Sequence, residues 1–399
     1  MISTMAACLQ RDWQSRDCNS VNTSQEISVV SYNILAECNF DDLTYPFCPS
    51  GHRGTYERHP KLMMELKHHK EADIICLQEV ETNYFHDVLK PALKSFGFDG
   101  HYFSKYNEKE EGTATFIKLS SMELIHHQNF IFKDLLEQAA RRDVDIWRQE
   151  AVIDRCNQSS VGMISTLKHI PTGREICVMN IHLLWKTKEY LDINTLQAAA
   201  AVRKLTEAAG GKRGIILCGD FNHTPQQPGY DVIANGSVSH SSILQLQEYP
   251  VAKSCLISFA LSWFQHSQED LLSAYLDVLG SEPSFTEYTD PSGKAWLQMQ
   301  KNSNSPTSSK MTANRIEADE DTVRRWSKVK PIASNKILTP PSQRRTLDYI
   351  WFGSNHLVCE RVLKIVKAEA IEPHWACPNV EFPSDHMLIR AVFTWKELI

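Results

Sequence analysis

The chain has 399 residues and a mass of 45.5 kDa, enough for one large enzyme domain or two ordinary ones. Its 42% hydrophobic and 23% charged residues exclude a wholly disordered chain, a collagen-like repeat and a disulfide-stapled mini-protein. A formal charge of −6 excludes a global basic field that would draw the protein to duplex nucleic acid or anionic membrane, although a local basic patch is compatible with it.

Residues 1–26 lack apolar periodicity and a signal-type apolar core, so they are expected to form an unstructured N-terminal segment. Arg11 and Arg16 are offset there by Asp12, Asp17 and Glu26, which argues only weakly for mitochondrial import. From Ile27, short β-branched runs recur at Ile27–Leu35, Ala72–Leu77, Thr113–Ile117, Gly162–Leu167, Ile176–Leu184, Gly214–Cys218, Leu347–Phe352 and Leu388–Trp395, each of strand length and composition. Helices are expected at Lys61–Lys70, at Tyr84–Phe96 with an interruption at Pro91, at Asp192–Ala209 with Gly210 as a stop, and at Ser254–Leu279. The pattern is that of an α/β protein with packed sheets and outer helices. No apolar run approaches the ~18–20 residues of a membrane span, and no membrane partner is expected. Eleven cysteines occur without a C-x-x-C pair, with Cys76, Cys177 and Cys218 inside apolar runs. That usage suits a reduced intracellular compartment, cytoplasmic or mitochondrial.

A single domain is expected over 27–399, interrupted at about 290–345 by a stretch rich in Ser and Asn, an acidic cluster at Glu317–Asp321 and the pair Pro340–Pro341. A basic run ends this insertion: Arg324, Arg325, Lys328, Lys330, Lys336, Arg344 and Arg345. It reads either as a solvated loop balancing the acidic cluster or as an arm meeting substrate phosphates beyond the scissile one.

The apolar runs end in polar residues of one kind. Asn33, Glu79, Asn180 with His182, Asp220 with Asn222, Asp348, and Asp385 with His386 each close or follow such a run. Any one of these has an ordinary explanation as a cap or ion pair. Burying so many carboxylates at strand ends costs several kcal/mol each unless a cation or strong hydrogen bonds compensate. Carboxylates beside two histidines suit a hard divalent cation and phosphate chemistry.

In order, the motifs SYNILA from Ser31, LQEV from Leu77, N-x-HL from Asn180, GDFN from Gly219, LDYI from Leu347 and SDH from Ser384 resemble the endonuclease/exonuclease/phosphatase superfamily. TYPFCP from Thr44 and GDFNHTP from Gly219 look like the deadenylase-type exonucleases, and EGTATF from Glu111 and the LLWK after His182 look most like their 2′,5′-phosphodiesterase 12 branch, with Angel-type and nocturnin-type relatives as competitors. The resemblance implies a four-layer α/β/β/α sandwich with its site at the strand ends of two facing sheets. It implies Mg²⁺ as cofactor, with Mn²⁺ as a substitute, held by Glu79 with Asn33 beside it and Asp385 assisting a second metal. Asp220 would deprotonate the attacking water, with Asn222 fixing it. His182 would contact the scissile phosphate, and His386, oriented by Asp348, would stabilise the developing charge. Trp185 is read either as a stacking platform for adenine or as a hydrophobic wall, and His223 as a phosphate contact or a solvated loop residue. The implied activity is a 3′-exoribonuclease that releases AMP from RNA, namely 2′,5′-linked oligoadenylate and poly(A). The alternative is an Angel-like RNA-end or 2′,3′-cyclic-phosphate phosphatase. A catalytically silent RNA-binding scaffold is disfavoured because every metal and proton-transfer position is intact.

Overall fold

The β-branched runs pair into two mixed sheets that pack face to face in the computed structural model, which describes residues 11–16, 25–40, 44–106, 110–143, 146–249, 264–268, 270–290 and 343–397. The first sheet runs β1 (Trp13–Ser15), β14 (Leu357–Leu363), β15 (Ile389–Trp395), β2 (Ile27–Asn33), β3 (Ile74–Glu81), β5 (Glu111–Lys118), β4 (Phe98–Ser104). The second runs β10 (Leu271–Ser273), β13 (Asp348–Gly353), β9 (Gly214–Asp220), β8 (Glu175–His182), β7 (Val161–His169), β6 (Met122–Ile131). Among the described strands, only β2–β3 and β8–β9 pair in parallel.

Alternation along the strands builds the layers. Val29, Cys76, Val178, Cys218 and Ile350 fill the space between the sheets. Val30, Ile75 and Leu77 face outward onto Leu62 and Leu66 of α1 (Thr55–His68) and onto Phe85, Leu89 and Leu93. On the far side, Cys177, Met179, Ile215 and Leu217 receive α2 (Phe132–Asp143), α3 (Ile146–Cys156) and α4 (Thr187–Ala209) through Phe132, Val152 and Leu196. Central strands buried on both faces therefore read as continuous apolar runs. The arrangement is the four-layer α/β/β/α sandwich. Gly210, at φ 59°, ends α4 in the left-handed conformation that favours glycine.

Several expectations need correction. Trp13–Ser15 lies in the segment expected to be unstructured, yet it pairs antiparallel with β14, and the guanidinium groups of Arg361 and Arg390 lie 5.4 and 5.2 Å from the Trp13 ring. Residues 1–10 and 17–24 lie outside the described residues. The interruption at Pro91 takes the form of a widened π-type turn over Phe85–Leu89, after which Lys90–Lys94 continues. Within the stretch expected to be one helix, residues 254–263 are outside the described residues, Leu271–Ser273 is β10, and only Ala274–Leu279 is helical there. The insertion is likewise outside them over 291–342, while β11 (Glu287–Thr289) and β12 (Gln343–Arg345) pair antiparallel at its two ends. No helix among the described residues is long and apolar enough to cross a membrane.

Candidate active site

Register brings the polar strand ends together. His182, Asp220 and Asp348 occupy one rung across β8, β9 and β13. Gly219 makes that rung possible: its φ is 141°, and a Cβ there would collide with the Ile181 carbonyl. Ile181 itself points to the helix layer, while Asn180 points inward and donates to the carbonyls of Ala114 (2.9 Å) and Leu77 (3.2 Å). Asn180 thus staples the two sheets behind the site. In the first sheet the β3–β5 register slips between Leu77 and Val80, and Glu79 adopts φ 55°, which re-aims its carboxylate.

Glu79 and Asp220 are bridged by one amide. Asn33 Nδ2 donates to Glu79 Oε1 (3.1 Å) and Asp220 Oδ2 (3.0 Å), while its Oδ1 accepts from Leu35 N (3.0 Å). Asn33 therefore turns its nitrogen to the carboxylates and braces them; in this orientation it offers no oxygen to a metal. Glu79 Oε2 also accepts from Asn39 Nδ2 (2.8 Å) and Ala36 N (3.1 Å). Burial opposes ionisation of Glu79, but the Lys105 ammonium and the Asn39 and Asn33 amides offset it and hold the carboxyl below the usual range. Asp220 is different. Burial, with Asp348 and Glu79 adding and His386 and Asn33 opposing, pushes it up to about 7. Asn222, also left-handed at φ 55°, fixes Asp220 Oδ1 through its backbone N–H (2.9 Å) and donates its side-chain amide to Leu183 O.

Two imidazoles flank Asp220 Oδ2, each with Nε2 at 3.7 Å, and they hold opposite charge states. Burial and the Lys105 ammonium keep His182 well below its ordinary pKa. Lys105 Nζ lies 3.1 Å from His182 Nδ1 and 2.5 Å from Glu111 Oε1. A lysine can only donate, so Nδ1 accepts and the neutral ring carries its proton on Nε2. His386 is buried too, but Asp348 and Asp220 outweigh that burial and raise its pKa well above 6.5. Its Nδ1 donates to Asp348 Oδ2 (2.8 Å), which also accepts from Thr286 Oγ1 (2.7 Å).

Asp385 accepts from the Tyr45 hydroxyl at 2.7 Å, and burial lifts its pKa to about 6, with Glu287 and Glu79 adding. Glu287 forms an isolated bridge with His386. Arg58, fully buried, donates to the carbonyls of Ile34 (2.8 Å), Leu35 (2.5 Å) and Pro383 (2.8 Å), tying the loop after Asn33 to the loop before Ser384. Ser384 Oγ completes that link by donating to Asn33 O (2.7 Å).

His223 does not belong to this site. It is fully buried, its Nδ1 lies 2.9 Å from Asn194 Oδ1, and its ring stacks on Tyr349 at 5.9 Å. Gly229, in α5 (Pro228–Asn235), leaves space that any Cβ would take from the His223 ring. Both the phosphate contact and the solvated loop expected for His223 are overturned by this packing, and burial lowers its pKa to about 3. Trp185 is 64% exposed with Lys186 Nζ 5.4 Å from its ring centre. Lys105, Tyr45 and Glu287 were absent from the expected set. Glu111 and Tyr45 lie inside recognised motifs, and a buried glutamate opening an apolar strand was the one signal that called for a cation such as Lys105.

Comparison with known proteins fits this geometry. Residues 30–386 match the Endonuclease/Exonuclease/phosphatase family. The chain belongs to that family. Its relatives include the CCR4-Not complex 3′-5′-exoribonuclease subunit Ccr4 of Debaryomyces hansenii, 25% identical over 97% of this chain and 41% of that protein. Another is 2′,5′-phosphodiesterase 12 of Mus musculus, 26% identical over 93% of this chain and 52% of that protein. The chain thus spans about half the length of these curated relatives. Among solved structures, that of ANGEL2, a 2′,3′-cyclic phosphatase, superposes with a TM-score of 0.68 at 21% identity over 97% of this chain and 99% of that one. That likeness carries the endonuclease/exonuclease/phosphatase fold.

Atoms of Glu79, His182 and Asp220 lie within 4.8 Å of one another, and the two carboxylates form the acidic part suited to a metal ion, while His182, with Nδ1 on Lys105 and its proton on Nε2, faces them as a donor. The chemistry of the family's cation fits it: burial pushes Asp220 and Asp385 up to about 7 and about 6 despite the charged His386 beside them, and a divalent ion would restore their ionisation. The groupings that include His386 fit less well, because that ring is charged and committed to Asp348.

Proposed function

We propose that this chain is a Mg²⁺-dependent phosphodiesterase that removes AMP from the 3′ end of oligoadenylate, both 2′,5′-linked chains and poly(A). The observation that carries the reading is Asp220: a buried carboxyl near neutral pKa, set between a neutral and a charged imidazole at 3.7 Å each. Glu79 and Asp220 would hold the cation, which neutralises phosphate charge and favours ionisation of water. Asp220 accepts the proton of the attacking water, kept in orientation by Asn33 and the Asn222 backbone. The His386 imidazolium, locked by Asp348, donates to the phosphoryl oxygen on which charge grows. His182 Nε2–H, its tautomer set by Lys105, supplies a second donor. Exposed Trp185 offers a stacking face for the terminal base. The names of the Ccr4 and phosphodiesterase 12 relatives support the substrate class.

The alternative, a phosphatase of RNA ends, is favoured by protein angel homolog 2 of Bos taurus, 30% identical over 232 residues. One experiment separates them: purified protein with Mg²⁺ on matched, 5′-labelled 2′,5′- and 3′,5′-linked triadenylates, each prepared with a free 3′ end and with a 2′,3′-cyclic phosphate end. Release of AMP with stepwise shortening is expected. Loss of phosphate at constant chain length would establish the phosphatase reading, and no product from either class of substrate would leave a silent scaffold.

A further inference from the structure

Arg344 and Arg345 are the members of the basic run within the described residues, and they do different things. Strand alternation in β12 sends their side chains to opposite faces. Arg344 is committed away from the site, with Nη2 at 2.5 Å from Glu372 Oε1 and its guanidinium 5.0 Å over the Tyr288 ring. Arg345 lies in a row that crosses into the catalytic centre. Its register partner is Glu287, Glu287 bridges in turn to His386, and His386 Nε2 is 3.7 Å from Asp220 Oδ2. Ligand atoms of Glu287, Asp385 and His386 lie within 4.8 Å of one another.

The guanidinium is held rigidly and left half used. Nε and Nη2 donate to Glu287 Oε2 and Oε1, both at 2.5 Å. That consumes one edge of a five-donor fork, leaving Nη1 and the second Nη2 proton. The Glu287 side chain is 6% exposed and that of Arg345 30% exposed, so the acidic half of the pair is buried while part of the arginine reaches the surface, and among the described residues only Glu287 pairs with its fork. Both Asp220 and Asp385 act electrostatically on Arg345, which places the cation within the field of the catalytic carboxylates. A pair serving only to join β11 to β12 would need neither the unused edge nor this position.

We propose that Arg345, set by Glu287, forms a subsite for a second substrate phosphate, the one upstream of the phosphate being cleaved. The inference rests on the phosphodiesterase reading above and adds what that reading lacks, a reason for the enzyme to prefer a chain over a single linkage. A planar fork with two N–H groups on its free edge matches two phosphate oxygens, and its fixed orientation spares the ordering cost of a flexible lysine. Glu287 tempers the site: it neutralises the guanidinium between substrates and competes with the incoming anion.

The test compares diadenylate with its 5′-phosphorylated form, ApA against pApA, which differ by the upstream phosphate alone. Calorimetric binding in chelator at low salt reads the subsite without turnover. Wild type is expected to bind pApA at least about tenfold more tightly, the scale of one charge-assisted pair. Arg345→Ala should bring that ratio close to one and flatten the slope of log K for pApA against log salt by about 0.7. Glu287→Gln gives the opposite sign, because it removes the competing carboxylate: the ratio should rise. This second variant decides the matter even if Arg345→Ala folds poorly. A wild-type ratio near one, or a ratio unchanged in both variants, would overturn the subsite and leave a structural ion pair. AMP release from pApA with Mg²⁺, scored separately, tests the phosphodiesterase reading, so a failure of either is recognisable.

Discussion

Replacing Asp220 by Asn should make the metal-free protein more stable while nearly silencing it. The folded-state pKa of Asp220 is about 7 against an ordinary 3.8, raised chiefly by burial. A group raised in this way contributes its stability below the unfolded value and loses it as pH climbs to the folded one. Between about pH 5 and pH 8 the unfolded chain has already released this proton and the folded protein must give it up, which costs roughly two pKa units or about 3 kcal/mol. Asparagine has no proton to lose. In urea titrations with chelator, the stability of Asp220→Asn relative to wild type should therefore grow by about 3 kcal/mol across that range. Saturating Mg²⁺ should remove most of the difference, because the cation supplies the charge that burial withholds. Activity should move the other way, with kcat falling roughly 10²–10⁴-fold as the water loses its proton acceptor. Stability curves that stay parallel from pH 5 to pH 8 would refute the claim that Asp220 is held protonated by its surroundings. Recovery of rate at higher Mg²⁺ would make Asp220 chiefly a ligand.

Glu79→Gln should leave less than about a tenth of wild-type turnover at saturating Mg²⁺, because an amide is a poor donor to a hard cation; circular dichroism should show the fold retained. Lys105→Met combined with Glu111→Gln removes a buried ion pair as a unit and frees His182 from its cation, so the ring's pKa, followed by its C2–H resonance, should rise from the wild-type value while burial still holds it below 6.5. A titration curve that does not move from the wild-type one would count against Lys105 as a group that, with burial, keeps His182 neutral. Buried His223, lowered to about 3, should cost stability as pH falls from about 6.5, since the unfolded chain takes up a proton the folded one refuses; His223→Gln should flatten that acid slope by about 1.4 kcal/mol per pH unit. Arg11→Ala removes the cation 3.6 Å from buried Glu65 and a 2.6 Å hydrogen bond to Leu388 O, and a loss of about 3 kcal/mol in chemical denaturation is expected.

Much of the fold was legible because its central strands are buried on both faces and read as unbroken apolar runs. The edges were not. β6 carries His126, His127 and Gln128 on a half-exposed edge, so neither a run nor a clean alternation marks it. β1 is three residues long and is held by Arg361 and Arg390, more than 300 residues away in sequence. At the site, carboxylates and histidines at strand ends announced themselves by the cost of burying them. What stayed hidden were partners joined only by the fold: Lys105 with His182, Arg345 with Glu287, and the pocket that Gly229 opens for His223. A histidine after GDFN gives no sign of whether it faces solvent or Tyr349, since Tyr349 lies 126 positions further on and its hydroxyl donates to the His223 carbonyl.

The backbone itself carries the last piece of the site. Glu79 and Asn222 both adopt left-handed φ of 55°, where glycine would be at ease and other residues cost of order 1–3 kcal/mol. Glycine is absent from both positions because each side chain is needed: Glu79 accepts three hydrogen bonds and belongs to the cluster suited to a metal ion, and Asn222 anchors the turn to Leu183 O. Each residue lies just beyond a point where regular pairing breaks, the β3 bulge in one sheet and the end of β9 in the other. The two departures turn side chains from opposite sheets toward the same few ångströms, where Asn33 spans Glu79 and Asp220. The strain is held by the sandwich behind it, through the Asn180 staple between the sheets and the Arg58 clamp on the loops. Loosening either should therefore blunt catalysis by letting the carboxylates drift apart, without touching a group that meets the substrate.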